Sequence, residues 1–401
     1  MPEAQVLIGD ALCSLGDIDR GLEGYRNVVV DARHWYEDAR FKIGKVLKLR
    51  KDWDGLRDHF TSFMREQPNS QRLAEAVYWV GFASLSRDRL DEARTMYWHA
   101  IETHGDKGSH HGVEDILLAL PHLYRGPEAR VELLRQIQRI RAEADKSKRS
   151  TLACRLHWME GKFQPADKPR LAQADFMMAA SLLDVEKQNP RVIADCADAS
   201  RAAGSKARAR TLYADLIKWH PRALEVDRAL AGLGFLAHEA DDWKEALAYF
   251  ARFEKRMVSN DLRPEVLMRK AGILASQTRA GEAIDIYKQL LEDKTVPGRA
   301  KAEALMAWAA VWEKQGEVLK ATALYERVYL SYGRHRDLMG RAYLARGAAL
   351  EKLGKKREAA EVYTELSQTE TLKGLAAHKE GAKRLQPLVS LLEAGREEAP
   401  P

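Results

Sequence analysis

A spacing of small and aromatic residues recurs along most of this 401-residue chain. It is clearest near the C-terminus, where Gly347 is followed by Gly354, Ala359 and Tyr363. Apolar residues at helical spacing flank Gly347, and Gly354 stands where that helix has to end, because glycine takes the left-handed conformation without strain. A second helix would then carry Ala359 and Tyr363 one turn apart on one face. The stretch therefore predicts an antiparallel helix hairpin.

The hairpin is expected to bury one apolar side. With almost no side chain on Gly347 or Ala359, the two helices can cross closely, and Tyr363 fills the space beyond the crossing. A hairpin with one apolar side has to be covered by another copy of itself. Further copies of the spacing are Gly9, Gly16, Gly21 and Tyr25; Gly81, Ala93 and Tyr97; Ala197, Gly204, Ala209 and Tyr213; Gly234, Ala246 and Phe250; Ala271, Ala283 and Tyr287; Ala309, Gly316, Ala321 and Tyr325; and a weaker copy, Gly44, Phe60 and Pro68.

These copies resemble the tetratricopeptide repeat family, whose unit is a helix hairpin of about 34 residues with small, small, aromatic and proline positions. The resemblance covers most of the chain outside roughly 104–190. It implies an all-α fold, an α-solenoid of antiparallel helix hairpins stacked into a right-handed superhelix. The steps here are longer than the family's, about 37 or 38 residues between alanines such as Ala209 and Ala246. Bulky residues seven positions after these alanines, such as Leu216, are expected to hold successive hairpins further apart.

The repeat spacing also predicts how the chain is divided. We expect the middle section to interrupt the array, with helices at 113–124, 127–145, 149–162 and 169–187. The predicted divisions are N-terminal repeats at 1–103, degenerate helical repeats with loop insertions at 104–189, regular repeats at 190–371, C-terminal capping helices at 372–395 and a disordered tail at 396–401.

Composition agrees with a long helical array. Hydrophobic residues make up 45% and charged residues 31% of the chain, which is typical of amphipathic helices. The net charge of +6 is spread over interleaved acids and bases, so it does not by itself indicate a nucleic-acid partner. Cys13, Cys154 and Cys196 have no paired spacing, and we interpret them as small buried residues rather than as disulfides or zinc ligands.

The sequence gives weak indications of cellular location. No apolar run approaches the roughly 18 residues of a membrane span, and no signal-peptide pattern opens the chain. The default expectation is a cytoplasmic protein. A periplasmic or envelope-associated location is the alternative if the chain is a fragment of a longer protein.

Candidate chemistry is sparse. His104, His110, His111 and His122 could suggest a metal, because His111 and Asp115 stand one helical turn apart. We favour the alternative interpretation, a solvated loop. Paired motifs for nucleophilic catalysis and glycine loops for nucleotides are not found, so we predict no catalytic residues, no enzyme activity, no metal and no cofactor. Trp53 and Trp243 follow aspartates at second-helix starts and are interpreted as core residues.

The family resemblance implies a binding surface. In the family, first helices line an inner groove that binds extended peptides or partner helices. Transferring the groove positions predicts a mixed basic and aromatic surface that suits an acidic or aromatic-containing peptide. The predicted partner-binding residues are Phe41, Lys45, Tyr78, Phe82, Trp158, Arg191, Arg228, Phe235, His238 and Arg341, with Lys48 beside them.

These features predict that the protein is a non-catalytic scaffold that binds a peptide or partner protein. It would have no membrane span and could belong to a larger complex. The carboxylate clamp of chaperone-tail-binding members is excluded, because none of its asparagine positions holds asparagine here. A helical-repeat RNA-binding protein remains an alternative on the strength of the basic stretch 135–150, although nucleic acid is disfavoured. An accessory protein of cell-envelope assembly is a further alternative.

Overall fold

The computed structural model describes residues 1–107, 112–164, 169–258 and 261–389, and over these ranges the secondary structure is helical, without a strand. The chain forms two compact units, Met1–Glu225 and Val226–Pro401. The predicted all-α fold of stacked antiparallel helix hairpins is confirmed. The finer division at 103, 189 and 371 stays a prediction.

The first unit contains twelve helices in its described part. In pairs, they are α1 (Pro2–Ser14) and α2 (Ile18–Arg26); α3 (His34–Leu49) and α4 (Trp53–Glu66); α5 (Leu73–Ser86) and α6 (Leu90–His104); α7 (Val113–Leu123) and α8 (Pro127–Lys146); α9 (Ser150–Phe163) and α10 (Pro169–Ser181); and α11 (Pro190–Ala202) and α12 (Lys206–Trp219).

The second unit repeats the same organisation with more regular packing. Its helices are α13 (Val226–His238) and α14 (Trp243–Arg256); α15 (Arg263–Ser276) and α16 (Ala280–Glu292); α17 (Gly298–Lys314) and α18 (Val318–Tyr332); α19 (Arg336–Lys352) and α20 (Lys356–Gln368); and α21 (Ala376–Leu385), which packs against α19 and α20 as a final cover. Residues 390–401, which hold the rest of the predicted capping segment and the tail, lie outside the described residues.

One contact recurs in the regular hairpins. A small residue on the first helix precedes an aromatic residue of the second helix by sixteen positions, and where the small residue is glycine it lies directly beneath the ring. A Cβ added to Gly347 would lie 2.3 Å from Tyr363 Cε1, and one added to Gly81 would lie 2.0 Å from Tyr97 Cε1. The same relation joins Gly234 to Phe250, where the distance is 2.4 Å. The first small position therefore contacts the aromatic ring itself, which the sequence analysis had placed beyond the crossing.

The second small position is also buried, as predicted. Its five members in the regular array have no exposed surface, because each stands where a second helix crosses a first helix. They are Ala209, Ala246, Ala283, Ala321 and Ala359.

The turns between paired helices adopt the left-handed backbone that the pattern predicts. Gly354 has φ +73, which suits glycine, but Asp241 and Thr278 reach φ +57 and +63 at equivalent turns. The following residue often caps the second helix. Asp242 accepts a hydrogen bond from the backbone N–H of Glu245 over 3.0 Å and so caps α14.

The middle section departs from the regular pairing. Helices α7 to α9 begin and end within about two residues of their predicted positions, whereas α10 ends at Ser181 instead of 187. Helices α7 and α8 pack on their other neighbours more than on each other. A buried ion pair between α7 and α9 adds to the packing here: Arg155 Nε donates to Glu114 Oε1 over 2.7 Å, and its Nη1 donates to the carbonyl of Gly105 over 2.7 Å.

The cysteines and the hydropathy of the helices follow the predictions. Cys154 and Cys196 are buried and Cys13 is half-buried. Burial raises the pKa of the Cys154 thiol to about 12, which keeps it protonated near neutral pH. Across the described ranges, no helix combines the length and the apolar character that crossing a membrane requires.

A half-buried histidine on α4, His59, should make the first unit less stable in acid. His59 Nε2 lies 2.7 Å from the carbonyl oxygen of Arg40. Burial, reinforced by the positive charge of Arg40, lowers the pKa of His59 to about 4. Because the folded pKa lies below the unfolded value of about 6.5, the neutral ring stabilises the fold above that value. This contribution is lost as the pH falls from about 6.5 towards 4.

Changing Ala321 to Leu should overpack the crossing of α17 and α18 and lower the free energy of unfolding by about 1–3 kcal/mol. Urea unfolding followed by circular dichroism measures the change. Ala323→Leu is the matched control, because Ala323 lies exposed on the same helix. Equal stabilities of the two variants would show that the assigned helix face is wrong.

Changing His59 to Gln should flatten the loss of stability between pH 6.5 and 4, where one such group contributes up to about 1.4 kcal/mol per pH unit. Urea unfolding at several pH values compares the variant with the wild type. His34→Gln is the control, because His34 is exposed on α3. A wild-type slope in the His59→Gln protein would contradict the assignment.

Candidate partner-binding surface

A group of half-buried aromatic side chains lies where α3, α4 and α5 meet in the first unit. We call it the aromatic cluster, and it consists of Trp53, Tyr78, Trp79 and Phe82. Tyr78 and Phe82 stand one turn apart on α5, so their side chains share a face. Trp53 is the first residue of α4, held there by Asp52, whose carboxylate accepts a hydrogen bond from the N–H of Gly55 over 3.0 Å.

The rings contact one another edge to face. Phe82 lies 5.8 Å from Trp53 and 5.8 Å from Trp79 between ring centroids, with steep interplanar angles in both pairs. Tyr78 stacks on Tyr97 of α6 at 6.4 Å, with the rings nearly parallel. Such geometries are favourable for aromatic pairs. The cluster is therefore anchored to the α5–α6 hairpin on one side and to α4 on the other.

A cation lies over the cluster. The Lys48 ammonium is 5.1 Å from the ring centroid of Trp79 and 5.5 Å from that of Phe82. Both distances are within the range of a cation–π interaction. Lys48 and Lys45, one turn earlier on α3, are exposed. The surface thus combines apolar rings with positive charge at its α3 edge.

Charged residues from two other first helices approach Tyr78. Arg191 on α11 donates from NH1 to Asp115 Oδ1 on α7 over 3.0 Å. Burial raises the pKa of the Tyr78 phenol, the negative charge of Asp115 raises it further, and the positive charge of Arg191 opposes both. The structure therefore brings the predicted residues Tyr78, Phe82 and Arg191 towards one surface, together with Lys48.

Two of the predicted contact residues in the first unit are interior, so the expectation that their side chains are exposed is wrong. Phe41 is 3% exposed and packs between Phe60 and Phe63, with the Arg72 guanidinium 3.4 Å from its ring centroid. Trp158 is fully buried. Its indole N–H donates to Asp195 Oδ2 over 2.8 Å.

Phe235 in the second unit needs the same correction. It is 3% exposed and packs against Phe250 at 5.8 Å between centroids. The Arg269 guanidinium from the next first helix lies 4.6 Å from its ring centroid and covers it. Phe235 follows Gly234, the glycine under the Phe250 ring, and this position directs its side chain into the hairpin.

The remaining predicted residues of the second unit are accessible to different degrees. Arg228 and His238 on α13 are half-buried, and Arg341 on α19 is exposed. Burial lowers the pKa of His238, and the positive charge of Arg269 lowers it further, so the ring is biased towards its neutral form. Their roles in binding stay a prediction.

Sequence reasoning missed two members of the aromatic cluster. Trp79 was not named, because Tyr78 and Phe82 took the groove positions of that helix. Trp53 was interpreted as a core residue, although its ring is half-buried beside Phe82. The sequence does contain a signal for this cluster. Three large aromatic residues fall within 78–82, and Lys48 stands at the end of the first helix of the preceding hairpin.

The histidine-rich loop contributes no described site. His110 and His111 lie outside the described residues, and His122 is exposed on α7. Asp115, the residue paired with His111 in the metal hypothesis, is engaged by Arg191.

These elements define an all-α protein of stacked helix hairpins with tetratricopeptide-like packing of small residues against aromatic rings. No family model matches the chain, and no curated protein matches it. The yeast Tom70 structure is 13% identical with a TM-score of 0.39, over 99% of both chains. Pseudomonas aeruginosa PilF is 13% identical with a TM-score of 0.39, over 63% of this chain and 98% of its own.

A third solved structure, the P58(IPK) TPR domain, is 13% identical with a TM-score of 0.33, over 98% of this chain and 99% of that one.

Proposed function

We propose that the protein is a non-catalytic scaffold that binds a peptide segment of a partner protein on the aromatic cluster and the first-helix residues around it. The observation that carries this proposal is the half-buried aromatic cluster, with Lys48 over its rings and the Arg191–Asp115 pair beside Tyr78. Large aromatic residues and arginines are the types that dominate binding energy in protein interfaces.

The surface is preorganised, which favours affinity. The Tyr97 hydroxyl donates to the carbonyl of Tyr78 over 2.9 Å and ties the two helices of the α5–α6 hairpin together. Because Phe82 already contacts both Trp53 and Trp79, few side chains have to be ordered when a ligand arrives. Most of the conformational entropy lost on binding would therefore come from the peptide.

Charge restricts the chemistry of the ligand. Lys45 and Lys48 are exposed on α3, and Arg191 offers a guanidinium that pairs with the half-exposed Asp115 at 3.0 Å and lies 3.9 Å from Glu225. A ligand with one aromatic or long aliphatic anchor, flanked by carboxylates, would fill the cluster and meet these cations. Arg228, His238 and Arg341 are proposed as further contacts on the second unit, whereas Phe41, Trp158 and Phe235 support the helices from inside.

The double change Tyr78→Ala and Phe82→Ala should weaken capture of such peptides at least about 30-fold, the factor that corresponds to a hot-spot loss of about 2 kcal/mol. The probe is a displayed library of peptides with one Trp, Phe or Leu anchor among Asp and Glu, and the best binder is measured by calorimetry.

The matched control for this change is Trp219→Ala, because Trp219 is an exposed aromatic on α12, a second helix. Circular dichroism and melting establish that both variants fold. Unchanged peptide affinity in the folded double variant, or an equal loss in Trp219→Ala, would contradict the proposed surface.

Changing Lys48 to Glu should lower the affinity for acidic peptides by about tenfold at low salt. The loss should be smaller at high salt, because salt screens exposed charges. Lys218→Glu is the matched control, since Lys218 is also exposed in the last turn of a helix and bears the same penalty from the helix dipole. Preferential binding of RNA, with a steep salt dependence, would instead favour the RNA-binding alternative.

A further inference from the structure

A buried polar group lies between α8, α9 and α10, away from the aromatic cluster. His157 and Glu160 stand one turn apart on α9 and project on the same side, and Asp175 faces them from α10. One ligand atom from each of the three residues can be chosen so that all lie within 4.8 Å of one another. His157 is 5% exposed and Glu160 3%.

Several atoms of this group lack hydrogen-bond partners. Both ring nitrogens of His157 are buried without one, and so is Glu160 Oε2. His157 Nδ1 lies 3.8 Å from Asp175 Oδ1, and Nε2 lies 3.7 Å from Asp145 Oδ2, too far for hydrogen bonds. Leaving a buried imidazole unpartnered is costly, so the arrangement calls for an additional group.

The charges of the site indicate a cation. Three carboxylates, those of Asp145, Glu160 and Asp175, surround His157, and one guanidinium, that of Arg141, lies among them. Arg141 Nε is 2.8 Å from Glu160 Oε2, but neither atom makes a hydrogen bond. With a neutral imidazole, the cluster carries two more negative than positive charges, which a divalent ion would balance.

The geometry points to a metal site: we propose that His157, Glu160 and Asp175 bind one divalent first-row transition metal ion of the zinc type. One imidazole nitrogen and two carboxylate oxygens form a donor set that suits such ions. Ligand atoms around a tetrahedral zinc ion lie about 3.3–3.5 Å apart. The three ligand atoms therefore have to approach one another through side-chain shifts of roughly 0.5–1.5 Å. Water would occupy the fourth coordination position.

Both proposed carboxylate ligands already have a supporting partner. Gln138 on α8 donates from Nε2 to Glu160 Oε1 over 2.7 Å, and Gln164 donates from Nε2 to Asp175 Oδ2 over 2.9 Å. These bonds leave one oxygen of each carboxylate facing His157. If Nδ1 binds the ion, the Nε2 hydrogen faces Asp145, the carboxylate–histidine–metal arrangement of many sites.

Arg141 is the residue that competes with the ion. Its side chain is a quarter exposed, and its NH1 also donates to Asp145 Oδ2 over 3.2 Å. It can leave Glu160 for solvent while keeping its bond to Asp145. Metal binding would exchange a poorly formed ion pair for coordination bonds, and it would join α8, α9 and α10.

The test is zinc titration of the chelator-treated full chain by calorimetry, with melting temperature as a second readout. We expect about one equivalent of Zn²⁺ and a rise in melting temperature, since the ion binds the folded state. Glu160→Gln and Asp175→Asn should each lower the affinity for zinc at least about 100-fold, and Gln164→Leu should lower it roughly 10–100-fold. His99→Gln is the control, because His99 is exposed on α6, and it should bind as the wild type does.

Circular dichroism without metal establishes whether each variant folds. If Glu160→Gln does not fold, the zinc affinity of Asp175→Asn tests the proposal instead. The proposal is overturned if the wild type takes up no stoichiometric zinc. It is equally overturned if folded Asp175→Asn or Gln164→Leu binds like the wild type, if His99→Gln loses as much affinity, or if Mg²⁺ binds as tightly as Zn²⁺. None of these outcomes bears on peptide binding at the aromatic cluster.

Discussion

The contact between a small residue and an aromatic ring sixteen positions later is the constraint on which this structure depends. At Gly81 and Gly347 the ring lies so close that even a methyl group would displace it. The contact fixes how near the two helices of a hairpin approach and which side of each helix turns inward. In the hairpins that have it, the contact therefore sets which positions of the first helix reach the surface, including Tyr78 and Phe82 on α5.

The hairpins, their turns and the burial of their alanines were predictable from the sequence, because these depend on spacing within one hairpin. Side-chain exposure was not, because it depends on what a neighbouring hairpin places on top. Phe41 and Phe235 were expected on the surface, but the guanidinium groups of Arg72 and Arg269 cover them. Long amphipathic side chains bury apolar rings beneath them, and no spacing rule records where they point.

The middle section is held together differently from the regular hairpins. Its packing relies on buried charge, with Arg155 held by Glu114 and by backbone carbonyls. A satisfied ion pair of this kind specifies one arrangement, since removing either partner would leave a buried charge without compensation. The His157 group next to it is the part of the same polar interior that remains unsatisfied, and a bound cation would complete it.

Tyr78 connects the two functions of the first helices, packing and recognition. Its backbone carbonyl accepts the Tyr97 hydroxyl and its ring stacks on Tyr97, so it is part of the α5–α6 hairpin. The same ring lies near Asp115 and Arg191, which belong to later helices. A ligand that draws Arg191 away from Asp115 would leave a carboxylate beside the phenol without its ion-pair partner. Acidic ligands therefore have to offer Arg191 a better partner than Asp115 does, and this requirement favours ligands with two carboxylates over those with one.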